Sequence, residues 1–340
     1  MNKTSFQILL STVLVLISSC GGERKNKTDV SGITIQQPFL RFDKDLFSCG
    51  DSITANDLAA LRNKYGTFFT IFCNRLIRIP ASEDSSTAVA LTHFISDSDV
   101  KHIYHLTDSI FSNTDKIQKE LLDAFKHYAF YFPQKNIPDI VTYISAFNYQ
   151  VITTDSTVGI GLDMYLGAEN EDMYGSIGIP KYMFRKFSKE YIVSDCIKGW
   201  FQSEYENDSV KSELLSQMIY HGKLLYFTQM LAPALSDTVV IGYTKDQLAW
   251  CIKSESNIWA HLIENNLLYS TVIQEYIKFI NDGPTTNGLP AESPAKLGSW
   301  LGWQIVKAYV KSNPEITLEQ LLDEKDAQKI LNDSKYKPEK

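Results

Sequence analysis

Two short runs of β-branched and aromatic residues, set in a chain otherwise patterned for helices, narrow the fold class more than any other feature. Ile140-Val141-Thr142-Tyr143-Ile144 and Thr157-Val158-Gly159-Ile160-Gly161-Leu162 are made of the residue types that suit a pleated, buried surface. Upstream, helical spacing of apolar residues predicts helices over 55–64, 88–96, 98–112 and 115–131, with a nearly continuous apolar helix over 68–79. Thr54 is a suitable N-cap for the first of these, and Gly66 stands just past its end. A further strand is expected within 33–42. Downstream, helices are expected over 189–205, 209–231, 245–268, 271–280, 296–312 and 317–331. Helical flanks around a small sheet give an α+β protein, mostly helical.

The first twenty residues do not belong to that fold. Lys3 and the apolar stretch 6–17 form a basic start and a hydrophobic core too short to span a bilayer comfortably. Small residues precede Cys20 and Gly21-Gly22 follow it, which resembles the bacterial lipobox. In that chemistry the Cys20 thiol is diacylated, the peptide is cut before it, and the new amino terminus is acylated too. Several acyl chains turn marginal membrane binding into stable anchoring. The expected organisation is a signal peptide over 1–19, a lipidated Cys20 with a polar tether over 20–32, and one domain over 33–340. The plainer alternatives are a cleaved signal with a stray cysteine, or an N-terminal membrane anchor. Gly21 is not the aspartate that retains some lipoproteins at the inner membrane, so an outer-membrane position facing the periplasm is preferred.

At 44% hydrophobic and 12% aromatic, the remainder can bury a large core. Loss of 1–19 removes Lys3 alone among charged residues and changes the net charge from −7 to −8. No run of Lys or Arg suits nucleic acid, and an export signal argues against it independently. Beyond Cys20 the cysteines are Cys49, Cys73, Cys196 and Cys251, widely spaced and without a C-x-x-C pair. Their pairing is left open by the sequence. Cys73 follows Phe68-Phe69-Thr70-Ile71-Phe72 and reads as a buried free thiol.

Three segments carry any candidate chemistry: 159–167, 217–227 and 297–306. Their order resembles predicted zinc peptidases of the zincin type, the DUF2268 group, in which an edge strand lies over a cleft and an H-E-x-x-H helix holds the metal. Such a helix needs two imidazoles four residues apart and a carboxylate beside the first to deprotonate the metal-bound water. Here Tyr220-His221 stand where His-Glu would be, and Leu224 stands where the second His belongs. Four residues to either side of His221 are Gln217 and Leu225. No catalytic residue and no metal ligand is therefore assigned. His102, His105 and Asp108 share a spacing that can bind metal but lie on a charged helical face, and His93, His127 and His261 stand alone. No G-x-S-x-G elbow occurs, and Gly159-Ile160-Gly161 lacks the rest of a dinucleotide motif, so no cofactor is expected.

A closer resemblance is to the GldB family of gliding-motility lipoproteins of Bacteroidetes. It rests on Arg41-Phe42-Asp43, Leu46-Phe47, the segment 159–167, Gly222-Lys223, Tyr226-Phe227, Gly242-Tyr243-Thr244, Gln247-Leu248, Trp250-Cys251 and Ser334-Lys335-Tyr336-Lys337-Pro338, in that order behind a lipobox. The resemblance implies a zincin-like domain, with a small sheet packed against a long central helix, that has lost its metal and acts as a non-catalytic scaffold or assembly factor. Its partners would be the membrane, through Cys20, and other envelope proteins of gliding or type IX secretion. The alternatives are a tethered metallopeptidase with ligands elsewhere, or an envelope lipoprotein of another role. Asp163 and Tyr165 fall on alternate positions of a strand segment, and Lys223 and Tyr226 are three apart on a helix. With Tyr220 and His221 they are the candidates to line a cleft; the plainer reading makes the charges surface or fold-stabilising groups and the tyrosines core. Trp250, Trp259, Trp300 and Trp303 are expected in the core.

Overall fold

A computed structural model describes residues 28–82, 85–206 and 210–338. The expected signal peptide, Cys20 and residues 21–27 lie outside them.

Strand β1 (Phe39–Arg41) is shorter than the strand expected within 33–42, because Phe42 opens helix α1 (Phe42–Phe47) at once. Phe42 is fully buried, edge-on to Tyr65, Phe68 and Phe72, and this contact turns the chain inward. Helix α2 (Ala55–Ile71) starts at Thr54, whose hydroxyl and the Asp57 carboxylate form a capping box. Gly66, at φ 49°, kinks the helix instead of ending it, and the chain continues through a π turn at Phe72–Leu76. Helices α3 (Ser85–Ser96), α4 (Ser98–Ile110) and α5 (Asp115–Tyr131) follow. His102 and His105 are exposed on α4, and Asp108 pairs with Lys44.

The sheet adds β2 (Asp139–Tyr143), β3 (Val151–Thr153) and β4 (Thr157–Gly161), in the order β1-β2-β4-β3. β1, β2 and β4 run parallel, and β3 is antiparallel to β4. β4 is thus an inner strand, paired on both sides, and β3 was not anticipated. The two-residue period sorts side chains between two cores. Val141 and Tyr143 face an aromatic core built by α1–α3, while Ile140, Val158 and Ile160 face a larger helical core.

Beyond the sheet come α6 (Glu171–Ser176), α7 (Ile192–Glu204), α8 (Leu214–Leu231), α9 (Asp237–Ile241), α10 (Lys245–Glu264), α11 (Ile273–Tyr276), α12 (Leu297–Ser312), α13 (Leu318–Asp323) and α14 (Ala327–Ser334). The helix expected over 317–331 splits, because Glu324 is extended and Asp326 caps a new helix. α8 is buried on nearly every face and packs against α5, α7, α12 and α14, as a helix apolar all round must. The sheet does not rest on α8, as expected, but on α7: a Cβ at Gly199 of α7 would lie 2.9 Å from Val151 Cγ1.

α8 and α12 meet backbone to backbone. A Cβ on Gly302 would lie 1.8 Å from the Met218 carbonyl oxygen, and one on Gly222 2.3 Å from the Gly302 carbonyl. The glycines of both motif segments are therefore there to let two helices touch. Trp300 and Trp303 are fully buried beside this crossing, while Trp250 and Trp259 are half-buried against the same core. Cys49, Cys73, Cys196 and Cys251 are all free thiols, the last three buried.

Candidate functional site

Asp163 and Tyr165 are not on a strand. β4 ends at Gly161, and both belong to a 3-10 turn, Leu162–Tyr165, whose three-residue period sends their side chains apart. Asp163 is fully buried and accepts the backbone N–H of Ser145 at 3.1 Å and of Phe147 at 2.7 Å. It thereby holds the turn after β2, where Ala146 and Phe147 sit at φ 55° and 63°. Burial pushes its carboxyl up to about 6, against the pull of those N–H groups. Tyr165 is also buried, and its hydroxyl donates to Asp195 Oδ2 at 3.1 Å.

The four candidates on α8 point to three places, as one turn of helix requires. The Tyr220 hydroxyl donates to the Tyr205 carbonyl at 2.9 Å. Lys223 is 6% exposed, and its ammonium donates to the carbonyls of Leu322, at 3.2 Å, and Glu324. It caps the C-terminal end of α13, where orphan carbonyls favour a cation. Burial lowers this ammonium to about 8, with Glu324 and Asp323 opposing the shift. Tyr226 packs half-buried against the large core. Burial, then the neighbouring Lys296 ammonium, lowers the His221 imidazole to about 4, so it is neutral at physiological pH.

The six residues therefore do not share one cleft. Tyr220 and Lys223 border one recess with Tyr205 and Glu324. Tyr165 and His221 adjoin a second place, through Asp195 and Lys296. Asp163 and Tyr226 line neither.

That second place is where the structure gathers charge. Lys186 comes from a 3-10 turn, Asp195 and Lys198 from α7, His221 from α8, Asp282 from the loop after α11, and Lys296 from the start of α12. Asp282 pairs with Lys186 and lies 3.8 Å from the Lys296 ammonium, which donates to the Ile241 carbonyl at 3.1 Å. Asp195 Oδ2 accepts from Tyr165 and, at 3.3 Å, from Gln150, while its Oδ1 is 3.9 Å from the Lys198 ammonium. Among the described residues Lys198 has no hydrogen-bond acceptor.

Like charges act on one another here. Burial, and then Lys186 and Lys198, lower the Lys296 ammonium to about 7. Lys198 is lowered too, by burial first and partly restored by Asp195. Burial pushes the Asp282 carboxyl up, but Lys296 and Lys186 more than offset this and leave it below the usual range. Gly242, in the left-handed region at φ 83°, makes room: a Cβ there would lie 3.3 Å from Lys186 Cε and 3.8 Å from Lys296 Nζ. Its carbonyl and that of Tyr243 accept from Arg185, and Thr244 with Gln247 forms the capping box of α10. Among the described residues no group of three His, Cys, Asp or Glu side chains gathers as a metal site would require.

The family model for the gliding motility protein GldB matches residues 23–338. The chain belongs to the GldB family. No curated protein and no solved structure matches it. Several motif residues of this GldB-family chain have structural duties: Arg41 pairs with Asp43 at 3.0 Å, Asp43 accepts from Thr142 of β2, and the Tyr336 hydroxyl donates to Glu255 at 2.6 Å, docking the C-terminal segment on α10. Sequence reasoning missed Lys186, Asp195, Lys198, Asp282 and Lys296. The only local signal was the pair Asp195 and Lys198, three apart on a helix, which ordinarily marks a solvated face.

Proposed function

We propose that this GldB-family protein is a lipid-anchored component of the cell envelope that serves gliding motility by binding other proteins and not by catalysis. The observation that carries the motility reading is the family match over nearly the whole chain. Two features support the rest. The segment ending at Cys20 has the lipobox pattern, and among the described residues no helix is long and apolar enough to cross a membrane. Helix α8 is apolar, yet it carries Tyr220, His221 and Leu224 where the resemblance to zinc peptidases would put His, Glu and His. Without that set the reading left to the domain is binding through its surfaces. Outer-membrane attachment facing the periplasm fits Gly21 after the acylated cysteine.

The test is genetic complementation in a gliding host. Deletion of the gene should stop colony spreading, the native gene should restore it, and Cys20→Ala should not, with the variant losing palmitate labelling. Spreading by the deletion strain removes the motility role; full rescue by unlabelled Cys20→Ala removes the anchor from it. A tightly bound stoichiometric metal whose removal lowers the melting temperature would return the peptidase reading.

A further inference from the structure

The lysine cluster carries a charge that the fold does not answer. Two carboxylates, Asp195 and Asp282, face three ammonium groups, and Asp282 is shared between Lys186 and Lys296. Among the described residues Lys198 is left with a 3.9 Å contact to Asp195 and no hydrogen bond. The surplus lies beside the start of α12, a sixteen-residue helix with no capping side chain, whose free N–H groups add positive potential. Arg185 adds a fourth cation nearby, though its guanidinium is engaged by the carbonyls of Gly242 and Tyr243. His221 is held neutral and contributes no charge of its own.

Such crowding is unfavourable in a sealed interior, where buried charges are paired. This place is not sealed. The side chains of Lys186, Lys198 and Lys296 keep 16%, 19% and 23% of their surface. A recess of about 40 Å³ opens between Lys186, Lys296, Asp282 and Gly242. The three side chains are thus partly open to solvent, on a protein whose net charge is −7. Lys296 is moreover fixed in the left-handed region at φ 61°, a backbone conformation that a lysine adopts only where its surroundings impose it.

We propose that this cleft, lined by Lys186 and Lys296 with the charge of Lys198 acting on both, binds a carboxylate group. Three lysines and Arg185 against two aspartates leave a positive surplus that an anion would offset, and the small size of the recess favours a carboxylate over a larger anion. The recess has room for a group of a few atoms, and charge-assisted hydrogen bonds from ammonium to carboxylate are the strong kind. The carboxylate comes from the chain end of a partner protein or from an acidic side chain or free acid. The proposal rests on the binding reading only for that source.

The test uses the purified full-length chain in detergent and the reactivity of its own lysines. An isotope-coded acylating ester labels the unprotonated amine, and peptide mass spectrometry reads Lys296 and Lys198 against Lys116, whose side chain is 87% exposed. In chloride at neutral pH, Lys296 should label well ahead of Lys116, because its ammonium is lowered to about 7. Added N-acetylalanine or propionate should protect Lys296 about fivefold, since a bound anion raises the ammonium by about one pKa unit. Chloride at equal ionic strength and N-acetylalanine amide should not. Stronger protection by N-acetylalanine assigns the site to a chain end; equal protection assigns it to a side chain or free acid. Protection that chloride or the amide reproduces, or none at all, overturns the proposal. Lys198→Gln should weaken the protection at an unchanged melting temperature, and full protection in that variant overturns the three-lysine site. The readout is independent of spreading, so it fails or succeeds separately from the motility role.

Discussion

Lys223 and Lys296 are both lysines withdrawn from water with lowered ammonium groups, yet only Lys296 has other lysines beside it. Lys223 is buried against two carbonyls at the end of α13 and has near it Glu324 and Asp323, which oppose the effect of burial. Lys296 has one carbonyl partner and two lysines whose charge adds to the effect of burial, while Asp282 and Asp195 oppose it. The first arrangement gives the ammonium two carbonyl acceptors and acidic neighbours only. The second gathers several cations at a partly open recess. Burial of an ionisable group alone therefore does not mark a site; what distinguishes one is whether the fold has already supplied the counter-charge.

The largest effect that would test this contrast is Lys223→Glu. A carboxylate in that position faces two carbonyl oxygens in a buried setting, so the variant should lose about 3–5 kcal/mol and fold poorly or not at all. Circular dichroism and thermal melting would show it. A folded Lys223→Glu protein of normal stability would mean that Lys223 is the peripheral cleft charge that its sequence position suggests. Next in size is Gly302→Ala, which touches neither lysine but tests the frame that positions both. Its Cβ would meet the Met218 carbonyl at 1.8 Å, so α8 and α12 must separate, at about 1–3 kcal/mol. An unchanged melting temperature would show that the two helices are not in backbone contact.

A smaller effect should appear with pH. Both lysines have folded pKa values below the unfolded one, near 10.5, so between the two values the unfolded chain holds more protons and stability rises with pH. The rise should begin near pH 7 with Lys296 and steepen near pH 8 with Lys223. Lys296→Met should abolish the rise between about pH 7 and 8, and above pH 8, where both lysines contribute, each Lys→Met variant should keep about half the slope. Melting curves across that window, in a buffer free of carboxylates, decide the matter; a flat profile in the native chain would contradict both assignments.

The contrast between the two lysines was not legible in the sequence. What was legible is local. Helix α5 runs over Asp115–Tyr131 as its spacing predicts, because apolar periodicity and the Phe132-Pro133 stop act within a few residues. Thr54 caps α2 for the same reason. The two central strands lie where β-branched residues concentrate. The region after β4 was misread because it is built of 3-10 turns, which have no long period to detect. The partners of Lys223 lie about a hundred residues further on, and the three lysines of the cleft arrive on three separate elements. No spacing rule reaches that far. The motif glycines were visible, but their duty at a helix crossing needs both helices in place.

The smallest expected effect is the stability change of Lys296→Met at neutral pH, and it is the most discriminating against Lys223→Met. Removing Lys223 strands two carbonyls that it satisfies, at about 1–3 kcal/mol each, softened by the relief of a buried ammonium. Removing Lys296 strands only the Ile241 carbonyl and relieves repulsion from Lys186 and Lys198 at the same time. These terms oppose each other and are of similar size, so the net change should fall within about 1 kcal/mol. Asp282 keeps Lys186 as its partner in the variant, so no buried carboxylate is left alone. Matched melting curves of the two Lys→Met variants give the answer. A loss at Lys296 as large as at Lys223 would show that the cleft lysines hold the fold together, and the surplus charge would then be a structural load with no ligand to meet.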